Sequence, residues 1–205
     1  MMYMKNDLSK EFTEETYDKA ARGYAEKFKN IGVRAKDVDK AFTFVAKENP
    51  SVVEIGCGAG REAEYIFTKT NRYIGMDISA GMLEVARENF PDVHFVQADI
   101  DTYKFPEGVD IVFAFASLLH SSKESLVGIF NRIYDALNED GVVYVSLKRR
   151  DKYSSAVVED TYGPREFYYY TKETLLEVAG DHFDEVFYEE QERIEPWFTM
   201  ILKKK

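Results

Sequence analysis

The chain has 205 residues, enough for one domain with a full core. Hydrophobic content of 45% and charged content of 31% are ordinary for a soluble globular protein, and a net charge of −10 repels phosphate backbones, so nucleic acid is not an expected partner. A single cysteine, Cys57, excludes an intrachain disulfide, and the scattered His94, His120 and His182 give no sign of a metal site. No apolar run is long enough to cross a bilayer and no basic-then-apolar signal opens the chain, so a cytoplasmic location is expected.

From about Ser9 to Asn30 the spacing of Phe12, Tyr17, Ala21, Tyr24 and Phe28 predicts one helix or two. A further helix is expected near Ala35 to Glu48, with Val38, Ala41, Phe42 and Val45 on one face and Asn49-Pro50 as its stop. Strand and helix then alternate. Ser51 to Ile55 is the first strand, and Arg61 to Thr68 a short helix with Ala63, Ile66 and Phe67 inward. Tyr73 to Met76 is the second strand, ending at Asp77, and Ser79 caps the helix that follows. Val93 to Val96 and Val109 to Ala116 are the third and fourth, the latter apolar enough to be covered on both faces. Ser121 to Glu124 has the spacing of a capping box, opening a helix through Leu137. Asn138 to Gly141 reads as a turn and Val142 to Leu147 as the fifth strand.

From Lys148 to Tyr170 the pattern weakens into a polar, tyrosine-rich stretch, read equally well as a solvated loop with an alternating edge or as a substrate-facing piece. Thr171 caps a helix ending at Gly180. Phe183 to Tyr188 and Trp197 to Leu202 are extended, and the short Glu189 to Pro196 connection makes them antiparallel. The expected fold is α/β: a doubly wound, mostly parallel sheet with an antiparallel edge and helices on both faces. It divides into amino-terminal cap helices (1–48), a cofactor-binding core (51–147), an insert (148–170) and a closing helix and strand pair (171–205) within one domain.

The chemistry centres on Glu54-Ile55-Gly56-Cys57-Gly58-Ala59-Gly60. Three glycines at alternate positions after a strand let the backbone turn sharply and approach a ligand. Cys57 has no basic neighbour in sequence to activate a thiolate, and is read as a small loop residue. Glu54, Asp77 and Asp99 fall at the carboxyl ends of three successive strands, the rim where open parallel sheets bind ligands. Asp77 lies 17 residues after Gly60, close to where a ribose-binding acid is expected. Asp99 with apolar Ile100 suits an exocyclic amine beside a flat base, on which Ile78 and Met82 would pack. Together these describe an adenosine site, with Glu54 a ligand or a brace for the loop amides.

Gly58-Ala59-Gly60-Arg61-Glu62-Ala63 also fits a dinucleotide fingerprint, which leaves an NAD-dependent oxidoreductase open. The wider set of motifs resembles another family. The glycine loop, Tyr73-Ile74-Gly75-Met76-Asp77-Ile78-Ser79, Gln97-Ala98-Asp99-Ile100 and Phe115-Ala116-Ser117-Leu118-Leu119-His120 resemble the successive cofactor motifs of class I S-adenosylmethionine-dependent methyltransferases. The resemblance runs from about Tyr17 to the end and implies a seven-stranded sheet of order 3-2-1-4-5-7-6, the last strand antiparallel. It implies that Gly56, Cys57, Gly58 and Gly60 pass under the methionine part of S-adenosyl-L-methionine, that Asp77 holds the ribose and that Asp99 and Ile100 frame the adenine. Ser117 and Leu118 would lie near the sulfonium, and Tyr17 and Tyr24 would close over the cofactor, one of them or Arg61 meeting its carboxylate. No metal is implied. His120, on the same rim, is the candidate general base. The aromatics of 148–170 with Lys148, Arg149, Arg150 and Arg165, bordered by Trp197, suit an acidic or flat small-molecule acceptor. A non-catalytic adenosine-ligand-binding protein, or a methyltransferase acting on protein or RNA, remain the other readings.

Overall fold

The computed structural model describes residues 2–29, 31–192 and 194–205, with side chains from residue 9 onward. Asn30, at the expected end of the first helix, and Arg193, in the last connection, lie outside the described residues. The elements begin with α1 (Met2–Lys29), α2 (Ala35–Phe42), β1 (Val52–Ile55), α3 (Ala63–Phe67), β2 (Tyr73–Asp77), α4 (Ala80–Asn89) and β3 (His94–Gln97). Then come β4 (Val109–Phe115), α5 (Lys123–Ala136), β5 (Leu137–Lys148), β6 (Ser154–Asp160) and β7 (Gly163–Tyr169). The chain closes with α6 (Lys172–Ala179), β8 (Phe183–Gln191) and β9 (Trp197–Lys204).

Seven strands form one sheet in the order β3-β2-β1-β4-β5-β9-β8. The pairs from β3 through β5 are parallel, and β9 runs antiparallel to both β5 and β8. This is the expected order, because β6 and β7 stand apart as a two-stranded antiparallel sheet. Period-2 alternation sorts the strand residues. Val52, Ile111, Phe113, Tyr144 and Ile201 pack in a cluster with residues of α2, α3 and α4, while Val53, Val112, Val143, Val145 and Met200 pack with residues of α5 and α6. Each such fully buried side chain contributes about 1.5–3 kcal/mol. Sheet and flanking helices fix the rim formed by the carboxyl ends of β1 to β5.

Helix α1 bridges that rim. Its Asp18 Oδ1 accepts from the Ser79 hydroxyl (2.6 Å) and the Gly81 amide (2.9 Å) at the start of α4. A Cβ at Gly81 would come within 2.7 Å of the Asp18 carbonyl oxygen, so glycine permits the approach. On the other side the Thr16 hydroxyl donates to the Pro164 carbonyl (2.8 Å), and the Glu166 amide donates to Thr13 Oγ1 (3.2 Å), tying α1 to β7.

Five expectations are corrected. The second helix ends at Phe42, not at Asn49-Pro50. The Thr43 hydroxyl turns back to the Lys40 carbonyl (2.7 Å), and the freed segment carries Lys47 to Asp110 (2.9 Å). Phe67 is not inward but 36% exposed, since a five-residue helix buries only Ala63 and Ile66. Ser122, not Ser121, caps α5, its Oγ accepting from the Ser125 amide (3.2 Å), while Ser121 ends a preceding 3₁₀ turn. The expected turn at 138–141 is the first part of β5, with Leu137 paired to Val109, Asp140 at φ +64° and a register shift before Ile111. The insert is the β6–β7 hairpin rather than a solvated loop.

Candidate active site

A cleft of about 1060 Å³ opens along the rim between the sheet, α1 and the hairpin. The β1–α3 turn forms its floor. Gly56 (φ +66°) and Gly58 (φ +55°) adopt backbone that favours glycine. A Cβ on Gly56 would overlap the Ser117 side chain, so the turns after β1 and β4 touch here. Gly60 (φ +79°) differs from the expectation: it faces Phe90 and Phe95 and does not line the cleft. Cys57 is buried, and burial pushes its thiol well up, so it supplies no thiolate at neutral pH.

Asp77 is gripped by the turn it follows. Its Oδ2 accepts from the Gly58 amide (2.8 Å) and its Oδ1 from the Ser79 amide (2.9 Å), leaving each oxygen capacity for one more donor. Burial raises its pKa, and the amides oppose that rise. Ile78 and Met82 stand beside it in the wall. Asp99 and Ile100 line the next stretch. The Lys10 ammonium sits 2.5 Å from both Asp99 Oδ1 and Asp101 Oδ2, and Asp101 also receives the Ser125 hydroxyl.

Glu54 lies beneath, 1% exposed. Its partner is the Tyr73 hydroxyl at 2.6 Å, not the loop amides considered from sequence. Burial first, then the nearby Glu62 charge, pushes its pKa up to about 8. Glu62 is held by Arg61 Nε (2.7 Å) and Arg34 Nη1 (3.3 Å), so the Arg61 guanidinium reaches the cleft already paired.

Beyond β4 the chemistry changes. Ala116 takes φ +54°, rare for a residue with a Cβ, and its amide donates to Ser146 Oγ (3.1 Å). Ser117 and Leu118 follow in the wall, and the buried Ser117 Oγ has no hydrogen-bond partner among the described residues. His120 packs between Tyr17 (5.5 Å between centroids) and Phe167 (4.8 Å). Its Nδ1 lies 2.6 Å from the Glu166 carbonyl, which only accepts, so Nδ1 carries the proton and Nε2 accepts from the Tyr17 hydroxyl at 2.9 Å. Burial, reinforced by the charges of Arg165 and Lys148, lowers its pKa to about 4 and keeps the ring neutral. Both nitrogens are thereby engaged, so the geometry does not fit the expected general base.

Tyr17 and Tyr24 meet edge to face at 5.4 Å and line the cleft from α1. Arg165 from β7 lies against both rings, and Phe167 and Tyr168 from β7, Lys148 from β5 and Trp197 from β9 line the same cleft. The structure thus gathers thirteen of the sequence-predicted cofactor residues, and His120, around one cleft. Lys10, Asp18 and Arg34 were missed. Their partners are 89, 61 and 28 residues away, and no local pattern marks a long-range ion pair or cap.

A family model described as a methyltransferase domain matches residues 52–141. The trans-aconitate 2-methyltransferase of Rhizobium etli is 34% identical over 97 residues, 46% of this chain and 37% of that protein. The match therefore spans well under half of that relative. An S-adenosylmethionine-dependent methyltransferase from Clostridium acetobutylicum superposes with a TM-score of 0.71 at 14% identity, over 89% of this chain and 97% of that one. The N-methyltransferase NodS of Bradyrhizobium japonicum, solved with S-adenosyl-L-homocysteine, gives 0.64 at 15% identity over 83% and 85%. Residues 52–141 are thus similar to a methyltransferase domain, and the chain shares its fold with these solved structures.

Proposed function

We propose that the chain transfers a methyl group from S-adenosylmethionine to a small acidic molecule. The observation that carries this reading is the division of one cleft into two chemically different halves. Over β1 to β3 lie a side-chain-free turn and carboxylates with spare acceptor capacity; over β4, β5 and β7 lie two cations among aromatic rings. The cofactor fits the first half. A Cβ at Gly56 would fill the turn, each Asp77 oxygen can take a ribose hydroxyl, and Ser117 Oγ lacks a partner among the described residues.

On this reading Gly56, Cys57 and Gly58 carry the methionine part above Glu54. Asp77 takes the ribose, while Asp99, Ile100, Ile78 and Met82 border the adenine. Ser117 and Leu118 border the sulfonium, and Tyr17 and Tyr24 cover it. When bound, the cofactor supplies an already activated methyl group. The chain excludes water with α1 and the 148–170 hairpin and holds the acceptor in line, and positioning of this kind supplies about 7–11 kcal/mol. The relatives' name points to an acid as well, since trans-aconitate is a carboxylate. A cytoplasmic setting belongs to the same reading and agrees with a lone, free cysteine. Calorimetry with S-adenosylmethionine, S-adenosylhomocysteine and NAD tests it: the two sulfur ligands bind and NAD does not. Retention of NAD instead would refute it.

A further inference from the structure

The second half of the cleft holds one buried cation and one largely covered one, while their acidic partners are exposed. Arg165 is 5% exposed. Its Nη1 donates to the Tyr17 hydroxyl (3.3 Å) and its Nη2 to Asp160. Its Nε is buried and has no partner among the described residues. The Lys148 side chain is 12% exposed and pairs at 2.6 Å with Glu195, whose side chain is 58% exposed. Asp160 keeps 38% of its side chain exposed. Both cations lie within 5.3 Å of the centre of the Phe167 ring.

Burying a guanidinium and an ammonium is unfavourable unless each keeps an anion beside it. An exposed acid supplies that anion and returns to water at little cost. The guanidinium geometry shows what Asp160 leaves undone. Nε–H and Nη2–H form the parallel, side-on fork that grips both oxygens of a carboxylate. Asp160 occupies one tine of that fork, and the other is the unpartnered Nε–H. A carboxylate that displaced Asp160 from within the cleft would satisfy both tines. His120 adds no third charge, because its proton sits on Nδ1 against the Glu166 carbonyl.

We propose that Arg165 and Lys148 form the seat of a small carboxylic acid, and that Asp160 and Glu195 are placeholders which this acid displaces. That the acid is the methyl acceptor rests on the methyltransferase reading; that it binds here does not. The acid's flat or apolar body then lies against Phe167 and Trp197, which line the same stretch of wall.

The test is calorimetry on the full chain, with and without saturating S-adenosylhomocysteine, using fumarate, benzoate and citrate, their amides, and inorganic phosphate. A carboxylate of the panel binds and its amide does not. Arg165→Lys, which keeps the charge but loses the fork, weakens binding about 10- to 100-fold. Asp160→Asn and Glu195→Gln act in the opposite direction and tighten it several-fold, an effect that general damage to the fold does not produce. An unchanged circular-dichroism spectrum and thermal unfolding midpoint in each variant show that it is folded. The proposal is overturned if no carboxylate binds, if phosphate binds as tightly, if Arg165→Lys binds normally, or if the placeholder variants do not gain. Failure of S-adenosylhomocysteine to bind the wild-type chain would sink the methyltransferase reading instead, and the titrations made without it would still judge the seat.

Discussion

Glu54→Gln isolates the electrostatic cost of the acid beneath the glycine turn. In the folded chain Glu54 keeps its proton to about pH 8, because burial and the neighbouring Glu62 disfavour its charge. In the unfolded chain it loses that proton near the ordinary glutamate value of about 4.3. Between those values the folded state binds the extra proton, so stability falls as pH rises, by up to about 1.4 kcal/mol per pH unit from this group. Below the window both states are protonated and the cost vanishes; above it the cost is complete, on the order of several kcal/mol. Glutamine has nearly the same shape, and its Oε1 still accepts from the Tyr73 hydroxyl that lies 2.6 Å from the native Oε2. Urea unfolding of both proteins at pH 5, 6.5 and 8 measures the difference. The variant's advantage over the wild type should be smallest at pH 5, which already lies inside the window, and grow steadily toward pH 8. Parallel stability–pH curves for the two proteins would refute the reasoning, because they would mean that Glu54 titrates normally.

Other expected outcomes follow from the same contacts. Gly56→Ala places a Cβ against Ser117 at φ +66°, and should cost about 1–3 kcal/mol in unfolding free energy and lower cofactor affinity. Cys57 should resist thiol reagents in the native chain at pH 7–8 and react on unfolding; rapid native labelling would show that the loop is open. The His120 ring should stay neutral with its proton on Nδ1 down to about pH 5, as nitrogen NMR of the imidazole reports, since its pKa is lowered to about 4.

Much of the sheet was legible because its signals are local. β4 is apolar apart from Asp110 and buried on every residue, and the brief 189–196 connection forces β8 and β9 antiparallel. The acids closing β1, β2 and β3 were visible from the ends of apolar runs. What was illegible depends on distant partners or on competing local signals. Tyr17 meets His120 across 103 residues, so the loss of both imidazole nitrogens to hydrogen bonds leaves no mark in sequence. Lys10 reaching Asp99 is hidden for the same reason. The β6–β7 hairpin was obscured by Pro164, which interrupts a strand pattern, and by exposure of most of β6, which removes hydrophobic alternation. The helix boundary at Phe42 is set by Thr43 turning back on Lys40, a choice that periodicity through Val45 does not reveal.

The central claim is that the turn after β1 and the acid after β2 together seat an adenosine cofactor. Asp77→Asn tests it most directly, since an amide keeps the side chain's shape but replaces one of the two acceptor oxygens with a donor. Calorimetry should show S-adenosylhomocysteine affinity falling about 10- to 100-fold, the range for losing hydrogen bonds to a charged acceptor. Wild-type affinity in a folded Asp77→Asn chain would contradict the account and place the ribose elsewhere.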